Sequence, residues 1–160
     1  MIRQVFRVLY RVEIRGMEHY RAAGERVLII ANHTSFLDGV FMALFLPDRL
    51  GFVINTYIAR LWWVKPFLRF VDIFVLDHTR PQAIRTVIKY VRSGKRAVIF
   101  PEGRITLTGS LMKVYQGSGL AADRCQAVIL PIRIDGAQYT PLSRLEDQVR
   151  IRWFPRIRMT

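Results

Sequence analysis

Cysteine occurs once in the 160 residues, as Cys125. A lone thiol excludes an internal disulfide and any multi-cysteine zinc site. Its place beside the apolar run 127–132 predicts a small buried side chain rather than a nucleophile. Histidine is scarce too, with His19, His33 and His78 alone, and without a HExxH or Cys/His cluster no metal is expected. No uncharged apolar stretch approaches the about 18 to 20 residues of a spanning helix. The segment 27–37 contains Asn32 and His33, and 50–59 lies between Arg49 and Arg60. Without the h-region and cleavage site of a signal peptide, the chain is expected in the cytoplasm, meeting any membrane from the side. Nucleotide motifs are missing as well. Gly94-Lys95 has no upstream P-loop glycine, and Gly117-x-Gly119-x-x-Ala122 follows no strand. Ser118 has no nucleophile elbow, since Gln116 stands at its first glycine.

Acidic residues are few: 12 Asp and Glu face 25 Lys and Arg, a net charge of +13. With 51% hydrophobic residues the chain is no disordered basic tail. Basic and oily together, it suits a folded domain that meets a membrane surface or an acidic partner, with nucleic acid open on charge alone. Arg outnumbers Lys by 21 to 4, through genomic codon bias or through phosphate binding by planar forks.

Residues 1–10 read as an amphipathic helix, with Ile2, Val5, Phe6 and Leu9 on one stripe and Arg3, Arg7 and Arg11 on another. It either packs on the body or lies on a membrane surface. An edge strand is expected at 12–15, buried strands at 26–31, 96–100 and 127–134, and further strands at 50–54 and 72–76. Residues 36–46 read as an apolar helix stopped by Pro47. A second helix, with Thr79 as cap and Pro81 in its first turn, ends at Gly94 and carries Ile84, Val87, Ile88 and Val91 inward. Segments 150–154 and 156–159 look like strands broken by Pro155. Strands alternating with helices predict a single α/β domain, 1–160, with a central, mostly buried sheet flanked by helices. An end straight after a strand suggests a piece of a longer chain.

Two polar segments follow buried strands, where α/β sheets place their sites. The first is Asn32-His33-Thr34-Ser35-Phe36-Leu37-Asp38 and the second Phe100-Pro101-Glu102-Gly103-Arg104. Five residues of helix turn a side chain by about 500°, so His33 and Asp38 meet only if His33 lies in the loop and folds back. Asp38 has a competing role, because Ser35-x-x-Asp38 is close to a capping box. In the second segment Gly103 suggests a tight turn. Arg104 can fork onto phosphate with Glu102 holding it, or the two form a plain surface pair.

Together the segments resemble the signature of the glycerolipid (PlsC-like) acyltransferase family, N-H-x-x-x-x-D followed by F-P-E-G-R, here with Asp38 and Phe100 62 positions apart. Ala59-Arg60 before Pro66-Phe67 is similar to that family's second motif, and 129–132 to its fourth. The run Gly109-Ser110-Leu111-Met112-Lys113-Val114-Tyr115 departs from it, with Val114-Tyr115 where many members have Phe-Lys. FPEGRITLTGSLMK is similar to the acyltransferase half of the bacterial bifunctional 2-acylglycerophosphoethanolamine acyltransferase/acyl-ACP synthetases, which continue into an adenylate-forming domain.

The resemblance implies the PlsC-like fold and acyl transfer from acyl carrier protein or coenzyme A thioester to a lysophospholipid hydroxyl, without cofactor, metal or acyl-enzyme. It implies His33 as base, oriented by Asp38, and acceptor binding by Glu102, Gly103, Arg104 and Arg60, with Asn32, Ser35, Pro101 and Lys113 nearby. 2-Acylglycerophosphoethanolamine is the first acceptor and 1-acylglycerol 3-phosphate the alternative. A non-catalytic basic module ranks below both, because it leaves the two motifs unexplained. The expected place is the cytoplasmic face of a bacterial inner membrane, peripherally bound, with no nucleic acid. The basic, aromatic stretch from Arg49 to Arg69, with Tyr57, Trp62, Trp63, Phe67 and Phe70, suits that interface or a buried cluster.

Overall fold

The computed structural model describes residues 1–55, 62, 65, 69–76, 82–145 and 147–160. Arg60, Pro66, Phe67, Tyr57 and Trp63, and the expected helix start at Thr79 and Pro81, lie outside these residues. The elements run α1 (Ile2–Leu9), β1 (Glu13–Ile14), α2 (Met17–Ala22), β2 (Val27–Ala31), α3 (Leu37–Phe45), β3 (Gly51–Asn55) and β4 (Asp72–Leu76). They continue with α4 (Gln82–Arg92), β5 (Ala97–Ile99), α5 (Gly117–Cys125), β6 (Val128–Ile132), β7 (Ile134–Asp135), a 3-10 turn (Ala137–Tyr139) and β8 (Arg158–Met159).

β2 is apolar at every position, and a strand of that kind belongs inside a parallel sheet covered on both faces. It lies between β5 and β6 in the order β4-β3-β5-β2-β6, and every pairing is parallel. Successive side chains point to opposite faces. Val27, Ile29 and Ala31 join Phe41, Met42 and Phe45 of α3 in one core. Leu28 joins the other, with Val87, Ile88 and Val91 of α4 and Ala121, Ala122 and Cys125 of α5. Each large side chain so buried contributes about 1.5–3 kcal/mol, which holds the helices against the sheet and the strand ends in register.

Two readings change. The stretch 127–134 is not one buried strand but two strands in different sheets. β6 is an edge strand with Val128 and Ile129 about half exposed (51% and 47%), and β7 belongs to a small sheet of order β1-β8-β7. The handover occurs at Arg133, whose N–H and C=O both pair with Thr160 (2.8 and 3.0 Å). Pro131 fits the exposed edge. Val128 N–H donates to Arg26 O on the β2 side (2.9 Å), so the alternate position, 131, turns its missing donor outward and blunts that edge. Residues 150–154 form no strand, because Arg152 N–H bonds Tyr139 O alone (2.7 Å) while Trp153 and Phe154 stand exposed. Only Arg158–Met159 pairs, between β1 and β7. Two helices add to the expected elements. The Gly117-Ser118-Gly119 opening of α5 has poor helix propensity. Packing of Ala121, Ala122 and Cys125 on α4 and the sheet overrides it. α2 has a single buried residue, Tyr20, which leaves almost no periodic signal.

α1 packs on the body of the domain through one side chain. Phe6 stacks on Tyr10 (5.5 Å) and meets Phe41 edge-on (6.0 Å), which ties the helix to the core. Ile2, Val5, Val8 and Leu9 remain exposed. Among the described residues no helix is long and apolar enough to cross a membrane.

Candidate active site

Because β2 and β5 are parallel neighbours, the segments that follow them leave the same edge of the sheet side by side. They are also bonded to each other. His33 N–H donates to Glu102 Oε1 (3.1 Å), and Thr106 N–H donates to His33 O (2.8 Å).

Asp38 sits in the first turn of α3, fully buried. A buried carboxylate needs donors, and Asp38 Oδ2 has three: Thr34 N–H (2.6 Å), Ser35 N–H (2.9 Å) and His33 Nδ1 (3.0 Å). It therefore holds the loop amides as a capping carboxylate would and orients the imidazole as well. With Nδ1 donating to Asp38, Nε2 keeps its lone pair. Phe100 stacks on the ring at 4.0 Å, only 16° from parallel. The imidazole is thus fixed in plane and tilt, with one basic nitrogen left over.

The other predicted site residues divide by what they touch. Glu102 is buried and spends one oxygen on His33 N–H and the other on Met112 N–H (2.9 Å), so its contacts brace two loops rather than leave a free ligand. Asn32 pairs both ways with the Ile134 backbone (2.9 and 2.8 Å), tying β2 to β7. Ser35 is fully buried; its hydroxyl accepts from Leu37 N–H (3.2 Å) and meets Thr140 Oγ1 (2.8 Å), and helix α3 begins after Phe36. Pro101 lends its carbonyl to Tyr115 N–H (2.9 Å). Gly103 has φ +68, a left-handed conformation that suits glycine. Arg104 is exposed without an ion pair among the described residues, and Lys113 is exposed with its ammonium 5.6 Å from the Tyr115 ring.

A cleft of about 410 Å³ opens against Asn32, Thr34 and Glu102, with Thr106, Ser110 and Arg133 among its walls. The sequence reading passed over Thr34, whose amide and hydroxyl both face Asp38, and it gave Phe100 no role against His33. An aromatic residue just before the Pro-Glu-Gly turn was the available signal for Phe100, but stacking is visible only in three dimensions. Cys125 is fully buried, and burial pushes its thiol above the ordinary value, which suits packing rather than nucleophilic attack.

Residues 11–135 match the family model described as Acyltransferase. A chloroplastic 1-acyl-sn-glycerol-3-phosphate acyltransferase of Arabidopsis thaliana is 23% identical over 131 residues, 79% of this chain and 36% of that protein. The alpha 1-acyl-sn-glycerol-3-phosphate acyltransferase of Mus musculus is 28% identical over 135 residues, 80% of this chain and 46% of that protein. This chain therefore spans about half or less of these curated relatives. In fold it is similar to the crystal structure of the 1-acyl-sn-glycerophosphate acyltransferase PlsC from Thermotoga maritima, with a TM-score of 0.71 and 19% identity. That likeness covers 98% of this chain and 67% of the other.

Proposed function

Because the chain belongs to the acyltransferase family, through a match that includes both loops of the site, we propose that it moves a fatty acyl group from an acyl thioester to a lysophospholipid hydroxyl. The observation that carries the proposal is the imidazole of His33, held by Asp38 through Nδ1 and by Phe100, with no hydrogen bond to Nε2 among the described residues. Nε2 takes the proton of the acceptor's glycerol hydroxyl, and the imidazolium that forms is stabilised by Asp38. The alkoxide attacks the thioester carbonyl, the C–O bond forms, and the C–S bond of the tetrahedral intermediate breaks. The thiolate of acyl carrier protein or coenzyme A leaves and recovers the proton from Nε2. Glu102 holds the loop that carries His33, while Gly103, Arg104 and Arg60 receive the phosphoglycerol. No acyl-enzyme is required.

The names of the relatives favour 1-acylglycerol 3-phosphate as the acceptor. A second reading, 2-acylglycerophosphoethanolamine, rests on the run from Phe100 to Lys113 and on Val114-Tyr115 in place of Phe-Lys. In that reading the domain precedes an adenylate-forming domain in a longer chain. In both readings it works peripherally at the cytoplasmic face of a bacterial inner membrane, with the exposed apolar residues of α1 as one contact. The test is acyl transfer from a long-chain acyl thioester to lysophosphatidic acid and to lysophosphatidylethanolamine in parallel, with His33→Ala as control. The expected result is turnover that prefers lysophosphatidic acid and falls by about 10²–10⁴-fold in the variant, with circular dichroism unchanged. Preference for the ethanolamine acceptor selects the second reading, and near-normal rates in His33→Ala overturn the mechanism.

A further inference from the structure

The segment that follows the second loop, 105–116, carries apolar residues that the mechanism leaves unused. It is held to the site at three points: Thr106 N–H on His33 O, Met112 N–H on Glu102 Oε2 and Tyr115 N–H on Pro101 O (2.8, 2.9 and 2.9 Å). Yet four of its apolar side chains point into solvent, while Ile105 is buried. Leu107 is 41% exposed, Leu111 71%, Val114 49% and Tyr115 57%. Four large apolar residues exposed within nine positions are unusual for a surface without a partner. Within the segment the charge has one sign, for Lys113 is exposed, like Arg104 just before it, and no Asp or Glu occurs from Gly103 to Ala122. A protein interface of this size would deplete lysine at its centre, whereas cationic side chains around exposed aliphatic and aromatic ones suit a negatively charged lipid surface.

We propose that residues 105–116 form an interfacial rim that inserts Leu111, Val114 and Tyr115 between the headgroups of an anionic bilayer, with Lys113 on the phosphates. The rim is bonded to the loop of His33, so its docking brings Nε2 to the headgroup level. The contact itself rests on exposure and charge; its benefit to turnover rests on the acyltransferase reading.

Cys125 is fully buried, so Val114→Cys offers one reactive thiol for an environment-sensitive fluorophore. Leu111→Cys serves as a repeat, and Ser93→Cys, exposed beyond the end of α4 at the opposite edge of the sheet, is the control. On vesicles of equal parts phosphatidylcholine and phosphatidylglycerol, the labels at 111 and 114 shift to the blue and lose quenching by aqueous iodide, and the label at 93 does neither. On pure phosphatidylcholine the shift is about fivefold weaker at the same lipid concentration, as expected when one cationic contact worth about 1 kcal/mol is lost. Rim labels that stay quenchable while the protein sediments with vesicles would assign docking to another face and overturn the proposal. A protein that does not sediment, or a shift that follows protein concentration without lipid and so marks a second copy, also overturns it. Rim insertion without transfer to either lysophospholipid would remove the acyltransferase reading and keep the rim; transfer without insertion would do the reverse.

Discussion

At the scale of residues, Glu102 separates what the motif announces from what the side chain does. Both oxygens end on backbone amides, one of them that of His33. Glu102→Gln keeps the shape but turns an NH₂ toward an N–H, so two donors face each other. The expected result is a fall in kcat of about 10²-fold with little change in acceptor KM, since a misplaced base loses transition-state stabilisation rather than ground-state binding. Arg104→Ala should do the opposite, raising acceptor KM with kcat largely kept, because Arg104 is exposed and braces nothing described. Steady-state kinetics of both variants on one acceptor check the pair. If Glu102→Gln raised KM alone, Glu102 would be a substrate ligand after all.

At the scale of elements, the join between β7 and β8 is the tightest constraint. Gly136 has φ +97, and a Cβ there would lie 2.0 Å from Arg156 O. Because the obstacle is backbone and not a flexible side-chain end, Gly136→Ala must push β8 away from β7. The expected cost is about 1–3 kcal/mol or more, read as a loss of several degrees in Tm. β1 and β8 fall inside the strands expected at 12–15 and 156–159, but two-residue strands have too little alternation to mark their bounds, and no local signal tells that β8 pairs with both Glu13 and Asp135. The long apolar segments behaved differently. 36–46 and 72–76 were legible to within one residue because hydrophobic content and stop signals act locally.

At the scale of the whole molecule, stability should fall at both ends of the pH range for identifiable reasons. The Arg49 guanidinium, bonded to Asp72 at 2.8 Å, holds that carboxyl below its ordinary value, with the Tyr90 hydroxyl adding a second bond. A carboxylate with a depressed folded pKa stabilises the fold above its unfolded pKa of about 4 and loses that contribution as pH falls through the lower folded value. Asp72→Asn should therefore lower Tm at neutral pH and flatten its decline between about pH 5 and pH 2. Tyr20 works at the other end. Burial first, and then its bond to Asp48, raise the phenol above its ordinary value. That contribution is complete below the unfolded pKa of about 10 and is lost as pH rises toward the folded value. Tyr20→Phe should show a shallower alkaline decline in the same melting series.

The sequence by itself determined the α/β class, the position of β2 and β5 and the residues of the two polar loops. Those follow from periodicity and from residue chemistry, which act over a few positions. Tertiary structure alone decided that 127–134 divides between two sheets, since strand membership depends on which neighbour offers a ladder. It also decided that Asp38 serves the loop amides and His33 together, that Phe100 stacks on the imidazole, and that Glu102 faces inward. Each of these rests on groups 3 to 69 positions apart in the chain, and hydrogen bonds and ring stacking between such groups depend on distances of a few ångströms that only the packed sheet sets.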